Sequence, residues 1–169
     1  GQPLARPEPH LYLMFNKPAR TLATGREGPD DARRSVHDMV EHPLSTRLFP
    51  AGRLDFEATG LLLLTNDGDL ANRLTHARYG VEKVYQMVVR GTLDDASLER
   101  VNKVIGQVTK RAAKEAGAPH PARADLTILA REEGRTVLEL VTRDGRATLV
   151  RDTLAALGHP VKKMERVAI

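Results

Sequence analysis

Short, strand-like segments joined by links too short to hold a helix constrain this fold more than any other feature. The apolar segments at 123–131 and 135–143 are separated only by "EEG", which predicts a hairpin. Further strands are predicted at 11–18, 61–64, 82–91 and 161–169. Because hairpin-joined strands run antiparallel, the sequence predicts an α+β domain with a largely antiparallel sheet, not a doubly wound parallel one.

Helical spacing marks a smaller number of segments. Within 94–106, Leu98, Val101 and Ile105 form one apolar stripe, and Gly106 predicts the end of that helix. The small-residue, basic segment at 107–122 has no clear pattern. Other helices are predicted at 69–77 and 148–157, with a short one near 36–42.

Composition narrows the chemistry that the 169 residues can support. The absence of cysteine excludes disulfides, thiolate metal sites and a cysteine nucleophile. A net charge of +4, with arginine more frequent than lysine, favours a polyanionic partner. Scarce aromatic residues argue against a row of base-stacking rings. No apolar run is long enough to span a bilayer, so a cytoplasmic location and no membrane partner are expected.

Motifs for several common classes of enzyme are missing. The histidines His37 and His42 are spaced wrongly for one helical face, and "NDGD" lacks the ligand pattern of a calcium loop. Neither a phosphate-binding loop, a dinucleotide fingerprint nor a serine-nucleophile elbow occurs. We therefore expect no metal and no cofactor.

The stretch "GRLDFEATGLLLLTNDGDL" at 52–70 places Asp55 beside the most apolar run of the chain. Leu61 to Leu64 are predicted to form a fully buried strand. A carboxylate desolvated by such a run needs a cationic partner to stay ionised. Asp55 is thus either a turn residue or a catalytic carboxylate. Tyr85 could equally be an ordinary sheet aromatic and Arg151 a solvated helix residue, and periodicity does not decide.

Longer motifs do bear on that choice. "NKP" at 16–18, "GRLD" at 52–55, "TGLLLLTNDGDLANRLTH" at 59–76 and "EKVY" at 82–85 follow one another in order. With these motifs the chain resembles the RsuA-type group of ribosomal RNA pseudouridine synthases, from about residue 11 to its end. The resemblance implies a pseudouridine synthase fold, with a bent mixed sheet, flanking helices and a central cleft.

Roles for individual residues follow from the resemblance alone. Asp55 would be the nucleophile that engages the target nucleoside, and Tyr85 would pack on the everted base and remove a ribose proton. Arg151 would pair with Asp55 and hold it charged. The implied RNA-binding residues are Lys17, Arg53, Lys83 and Arg146.

The chain departs from the group's pattern in places. Ala147, Thr148 and Leu149 stand where Asn, Arg and Gln are usual, and Asp152 replaces a second arginine. The altered segment predicts weaker RNA contacts there, rerouted to a basic cluster or lost. The candidate cluster, which could equally be a solvated loop, is Lys110, Arg111 and Lys114.

The ends of the sequence also bear on its organisation. Residues 1–10, with three prolines, are expected to be an extended tail or linker remnant, and 11–169 a catalytic domain trimmed at its C-terminus and without an S4 module. The expected function is isomerisation of a specific uridine in ribosomal RNA or a ribosomal subunit precursor, by a monomer. The alternative is a non-catalytic RNA-binding or ribosome-assembly factor that retains the fold.

Overall fold

The computed structural model describes residues 8–25, 28, 31–43, 47–143 and 146–169. Within them, seven strands form a single mixed sheet. Their bounds are β1 Tyr12–Lys17, β2 Phe49–Pro50, β3 Thr59–Thr65, β4 Lys83–Arg90, β5 Ala124–Glu132, β6 Arg135–Thr142 and β7 Val161–Ala168. The helices are α1 Gly68–Thr75, α2 Asp95–Glu115 and α3 Ala147–Ala156, with single 3-10 turns at Val36–Met39 and Ala77–Tyr79. Of the tail expected at 1–10, residues 1–7 lie outside the described part.

The order of the strands confirms the predicted α+β architecture. The sheet runs β1-β3-β7-β4-β6-β5, with β2 paired to β3. All the pairings are antiparallel except that of β3 with β7, which joins Thr59 to Glu165 and Gly60 to Arg166. This short parallel pairing connects the β1–β3 part of the sheet to the β4–β7 part, and the glycine loop of the predicted hairpin lies at Gly134.

One continuous core holds the helices against the sheet. Tyr85, Met87 and Val89 alternate along β4 on the buried face, where Leu138 and Leu140 of β6 meet them. Val101 and Ile105 of α2 and Val150 and Leu154 of α3 belong to the same cluster. Burial of this apolar area is the main force that fixes both helices relative to the strands. No helix in the described ranges is long and apolar enough to cross a membrane.

Two local predictions are wrong. The second helix does not end at Gly106: it continues to Glu115, because the inward stripe of Val101 and Ile105 is extended by Thr109 and Ala113 through good helix-forming residues. The basic cluster Lys110, Arg111 and Lys114 therefore lies on a helix, where Arg111 pairs with Glu115.

The leucine run is the other exception. Leu62 and Leu64 are buried completely, whereas Leu61 and Leu63 are only partly covered. Alternate side chains of a strand point to opposite faces of the sheet, and in this sheet the helices pack on the face of Leu62 and Leu64. The run is a half-buried strand, with its core face turned toward the helices.

Candidate active site

Asp55 lies in the turn that leads from β2 into β3. Leu54 is buried in the core and anchors this turn, while the amide of Ala58 donates to the carbonyl of Asp55 at 3.0 Å. The Asp55 side chain remains 35% exposed. The turn thus holds its backbone firmly and presents the carboxylate at a partly open position.

Arg151 of α3 reaches this carboxylate from a distant part of the chain. Its Nη1 donates to Asp55 Oδ2 at 2.5 Å, a short charge-assisted hydrogen bond. Thr148, one helical turn earlier, donates from Oγ1 to the same oxygen at 3.4 Å. Arg151 Nε also contacts Asp152 Oδ1 at 3.3 Å. The start of α3 therefore faces the Asp55 turn with two side chains.

A cleft of about 490 Å³ opens beside this ion pair. Tyr85 and Met164 form part of its wall, on neighbouring strands β4 and β7, and Tyr85 is only 3% exposed. The complete lining is Gly52, Arg53, Leu54, Asp55, Thr75, Lys83, Tyr85, Ala147, Thr148, Met164 and Arg166. The structure thus brings Asp55 and Tyr85 into one recess, with Arg151 bound to the carboxylate.

The four residues that are expected to bind RNA occupy different positions in the structure. Arg53 is exposed and lines the cleft. Lys83 also lines it, but is 7% exposed, and its Nζ donates to the carbonyl of Leu74 at 3.1 Å. Arg146 lies half-buried at the start of α3, outside the cleft lining.

Lys17 is the residue whose position least fits the expected contact with RNA. It is completely buried, and its Nζ donates to the carbonyls of Pro18, Thr21 and Phe56 at 3.0, 2.8 and 3.2 Å. Burial lowers the pKa of Lys17 to about 8, against the opposing attraction of the Glu57 and Asp55 carboxylates. Lys17 holds the backbone directly after Asp55 from beneath and offers no surface to a ligand.

Arg166 is the residue in the lining that sequence reasoning missed. It lies on β7, is 1% exposed, and donates from Nε to the carbonyl of Leu61 at 2.8 Å and from Nη1 to that of Arg53 at 3.2 Å. A signal was present: Met164 and Arg166 fall on the same face of the alternating last strand, and Met164 is an apolar core residue. An arginine at such a position indicates a buried polar role.

The groups available for chemistry at this site are a carboxylate paired with a guanidinium and an aromatic ring beside them. Within the described ranges, no group of three or more His, Asp and Glu side chains is arranged to hold a metal ion. Asp55 can act as a nucleophile or base, and the apolar wall of Leu54, Tyr85 and Met164 can accept a planar ring.

Comparison with known proteins places this chain in a family. An uncharacterized RNA pseudouridine synthase of Aquifex aeolicus is 38% identical over 170 residues, or 100% of this chain and 63% of that protein. The ribosomal large subunit pseudouridine synthase B of Bacillus subtilis is 33% identical over 98% of this chain and 64% of its own length. The chain thus spans less than two thirds of both relatives.

A solved structure and a family model agree with these relatives. A crystal structure of a pseudouridylate synthase matches 94% of this chain and 62% of its own with a TM-score of 0.72 and 28% sequence identity. The family model described as RNA pseudouridylate synthase matches residues 11–156, which include the Asp55 turn, Tyr85 and Arg151. By this match over most of its length, the chain belongs to the RNA pseudouridylate synthase family.

Proposed function

We propose that this protein isomerises a specific uridine of ribosomal RNA to pseudouridine, with Asp55 as the nucleophile and residues 11–169 as the catalytic domain. The observation that carries the proposal is the meeting of the Asp55–Arg151 ion pair and the Tyr85 ring at one open cleft. The Bacillus subtilis relative, a ribosomal large subunit pseudouridine synthase, supports ribosomal RNA as the substrate. We further propose that the protein is a monomer, needs no cofactor and acts in the cytoplasm.

The dimensions and walls of the cleft suit an everted base. A base stacked in RNA is inaccessible, so the target nucleotide is extruded at a cost of a few kcal/mol, which apolar and aromatic walls offset. A cavity of about 490 Å³ has room for one nucleoside. Leu54 and Met164 supply apolar contact, and Tyr85 packs against the pyrimidine ring.

The reaction rearranges bonds within one nucleotide. Asp55 attacks C1′ as the bond from C1′ to N1 breaks, the uracil turns, and a bond from C5 to C1′ replaces it as the carboxylate leaves. The proton on C5 is lost and N1 gains one, so that no atom is added and no oxidation occurs. Tyr85 packs against the uracil as it turns, and Arg151 orients the carboxylate throughout. These are the roles that a fixed ion pair beside a ring can fulfil.

The test incubates the protein with unmodified transcripts of both ribosomal RNAs and with partly assembled subunits, and maps pseudouridine chemically. Asp55→Asn is expected to form no detectable product. Asp152→Asn is the matched control, because Asp152 contacts the same arginine at 3.3 Å but does not line the cleft. Full activity of Asp55→Asn, or equal loss in both variants, would contradict the nucleophilic role.

A non-catalytic RNA-binding or ribosome-assembly factor is the second candidate. It is favoured by the start of α3, where Ala147 and Thr148 line the cleft in place of amide and cationic side chains. It predicts salt-dependent binding of the same transcripts without pseudouridine, and binding that is unchanged by Asp55→Asn. The mapping experiment therefore separates the two candidates.

A further inference from the structure

A buried arginine forms part of the cleft wall directly behind the Asp55 turn. Arg166 lies opposite Tyr85 in the pairing of β7 with β4, and only 1% of its surface is exposed. Its two hydrogen-bonded nitrogens both donate to main-chain carbonyls, and its Nη2 is buried with no partner among the described residues. Because a guanidinium stays charged in proteins, this position places a fixed positive charge in the wall.

The two carbonyls belong to the segments that enter and leave the turn. The carbonyl of Arg53 lies two residues before Asp55, and that of Leu61 lies in β3, into which the turn leads. The planar guanidinium spans both with nitrogens held in fixed relative positions. Arg166 thereby links the turn to both β3 and β7.

Gly60 makes this link possible. Its φ of +106° is one that glycine adopts at no cost, and a Cβ added at position 60 would lie 2.2 Å from the carbonyl oxygen of Arg166. The backbones of β3 and β7 can approach this closely only at a residue without a side chain. The glycine thus sets the depth at which Arg166 lies beneath the turn.

Stability alone does not explain an arginine at this position. A buried donor without an acceptor is rare and unfavourable, and an apolar residue would continue the core face that Met164 begins. On the basis of the proposed function, we infer that Arg166 is a positioning residue, which fixes the turn through the Arg53 carbonyl so that Asp55 meets Arg151 and the substrate. It acts through the backbone and does not itself react.

The test compares single-turnover rates of pseudouridine formation, with enzyme in excess over a ribosomal RNA transcript that the wild type modifies. Arg166→Met is expected to lower the rate about 100-fold, the effect of a displacement near 1 Å at a reacting group. Arg166→Lys keeps the charge but loses the fork, and is expected to lower the rate about tenfold. The Kd for the transcript, measured by filter binding, is expected to stay within about twofold in both variants, since Arg166 is buried.

A stability control separates positioning from folding. Thr136→Val removes a buried hydroxyl that donates to the carbonyl of Gly91 and accepts from the amide of Leu93, remote from the cleft lining. It is expected to lower the melting temperature while leaving the rate unchanged. Chemical rescue is a readout that a folding defect does not change. Methylguanidinium added to Arg166→Ala is expected to restore part of the rate, whereas ammonium is not.

Several outcomes would overturn the positioning role of Arg166. A wild-type rate in Arg166→Lys, or a loss of RNA affinity that accounts for the whole effect, would overturn the inference. If Arg166→Met does not fold, Arg166→Lys carries the test, and a lysine variant that also fails to fold would show a role in stability instead. A wild-type protein that forms no pseudouridine would overturn the proposed function itself, and the inference with it.

Discussion

Two carboxylates of this molecule each accept hydrogen bonds from arginine and are about equally exposed, but they lie in different settings. Asp55 accepts from Arg151 at 2.5 Å, and Glu82 accepts from Arg123 and Arg143 at 2.6 and 2.8 Å. Their side chains are 35% and 34% exposed. Only Asp55 lines the cleft. An arginine partner alone therefore does not distinguish a reactive carboxylate, whereas a recess with an aromatic wall does.

The positions of the two clusters in the fold explain the difference. Glu82 precedes β4, Arg123 precedes β5 and Arg143 follows β6, so this cluster ties the ends of three neighbouring strands. The Asp55–Arg151 pair instead joins a turn to a helix at the edge of the cleft, with Asp55 in the cleft lining. The first cluster supports the sheet, and the second borders the cleft.

The difference between the two carboxylates is tested most strongly by removing one arginine from each cluster. Arg151→Met is expected to lower the single-turnover rate by about 10²- to 10³-fold, because the carboxylate loses a preorganised donor. Arg123→Met is the matched control and is expected to stay within about twofold of the wild type, since its carboxylate partner is outside the cleft. Equal losses in the two variants would contradict the distinction.

The aromatic wall can be tested separately from the ion pair. Tyr85→Leu keeps an apolar side chain but removes the ring, and is expected to lower the rate about tenfold, in line with the energy of one base stacked on an aromatic ring. Tyr12→Leu, an exposed aromatic on β1, serves as its control. A Tyr85→Leu protein as active as the wild type would show that the ring does not contribute to the reaction.

The buried cation beneath the Asp55 turn gives a prediction about pH. Because burial lowers the pKa of Lys17 to about 8, the unfolded chain keeps this proton at pH values where the native protein has lost it. The free energy of unfolding of the wild type, relative to Lys17→Met, should therefore rise above pH 8 by about 1 kcal/mol per pH unit, up to about pH 10.

Urea unfolding at pH 7, 8, 9 and 10 measures this difference. Lys103→Met, on the exposed face of α2, is the control and should show no such slope. A difference between the wild type and Lys17→Met that does not change with pH would mean that Lys17 is not buried as described.

The smallest expected effect concerns the other cluster. The hydrogen bond from Arg123, followed by that from Arg143, lowers the pKa of Glu82. The stability that this carboxylate contributes is therefore present above its ordinary pKa near 4.5 and lost as the pH falls below it. Relative to Glu82→Gln, the wild type should lose less than about 1 kcal/mol on acidification, because the pair is partly exposed and screened. Thermal unfolding from pH 6 to pH 3 checks this, and a gain on acidification would contradict it.

Much of the sheet was predictable because its signals are local. The hairpin of β5 and β6 follows from apolar alternation on both sides of "EEG", and the end of α3 from Gly158. The bounds of α2 were not predictable from Gly106, since an isolated glycine in a well-packed helix is tolerated when the buried stripe continues beyond it.

The site was predictable only in part. The partnership of Asp55 with Arg151 came from resemblance, because no periodicity relates two residues 96 positions apart. The burial of Lys17 and Arg166 could not be deduced from residue type, since both side chains are usually exposed and become internal only where main-chain carbonyls converge on them. All of these carbonyls except that of Leu61 belong to turns and loops, whose geometry the sequence specifies least directly.

The pairing of β3 with β7 involves two residue pairs, and one of them contains Gly60. Since the Asp55 turn leads into one of these strands and Tyr85 lies beside the other, this join of only two residue pairs is also the point that sets the distance between the two sides of the cleft. The methyl group of an alanine at position 60 would push β3 and β7 apart there. The cleft would widen while most of the sheet on either side kept its hydrogen bonds.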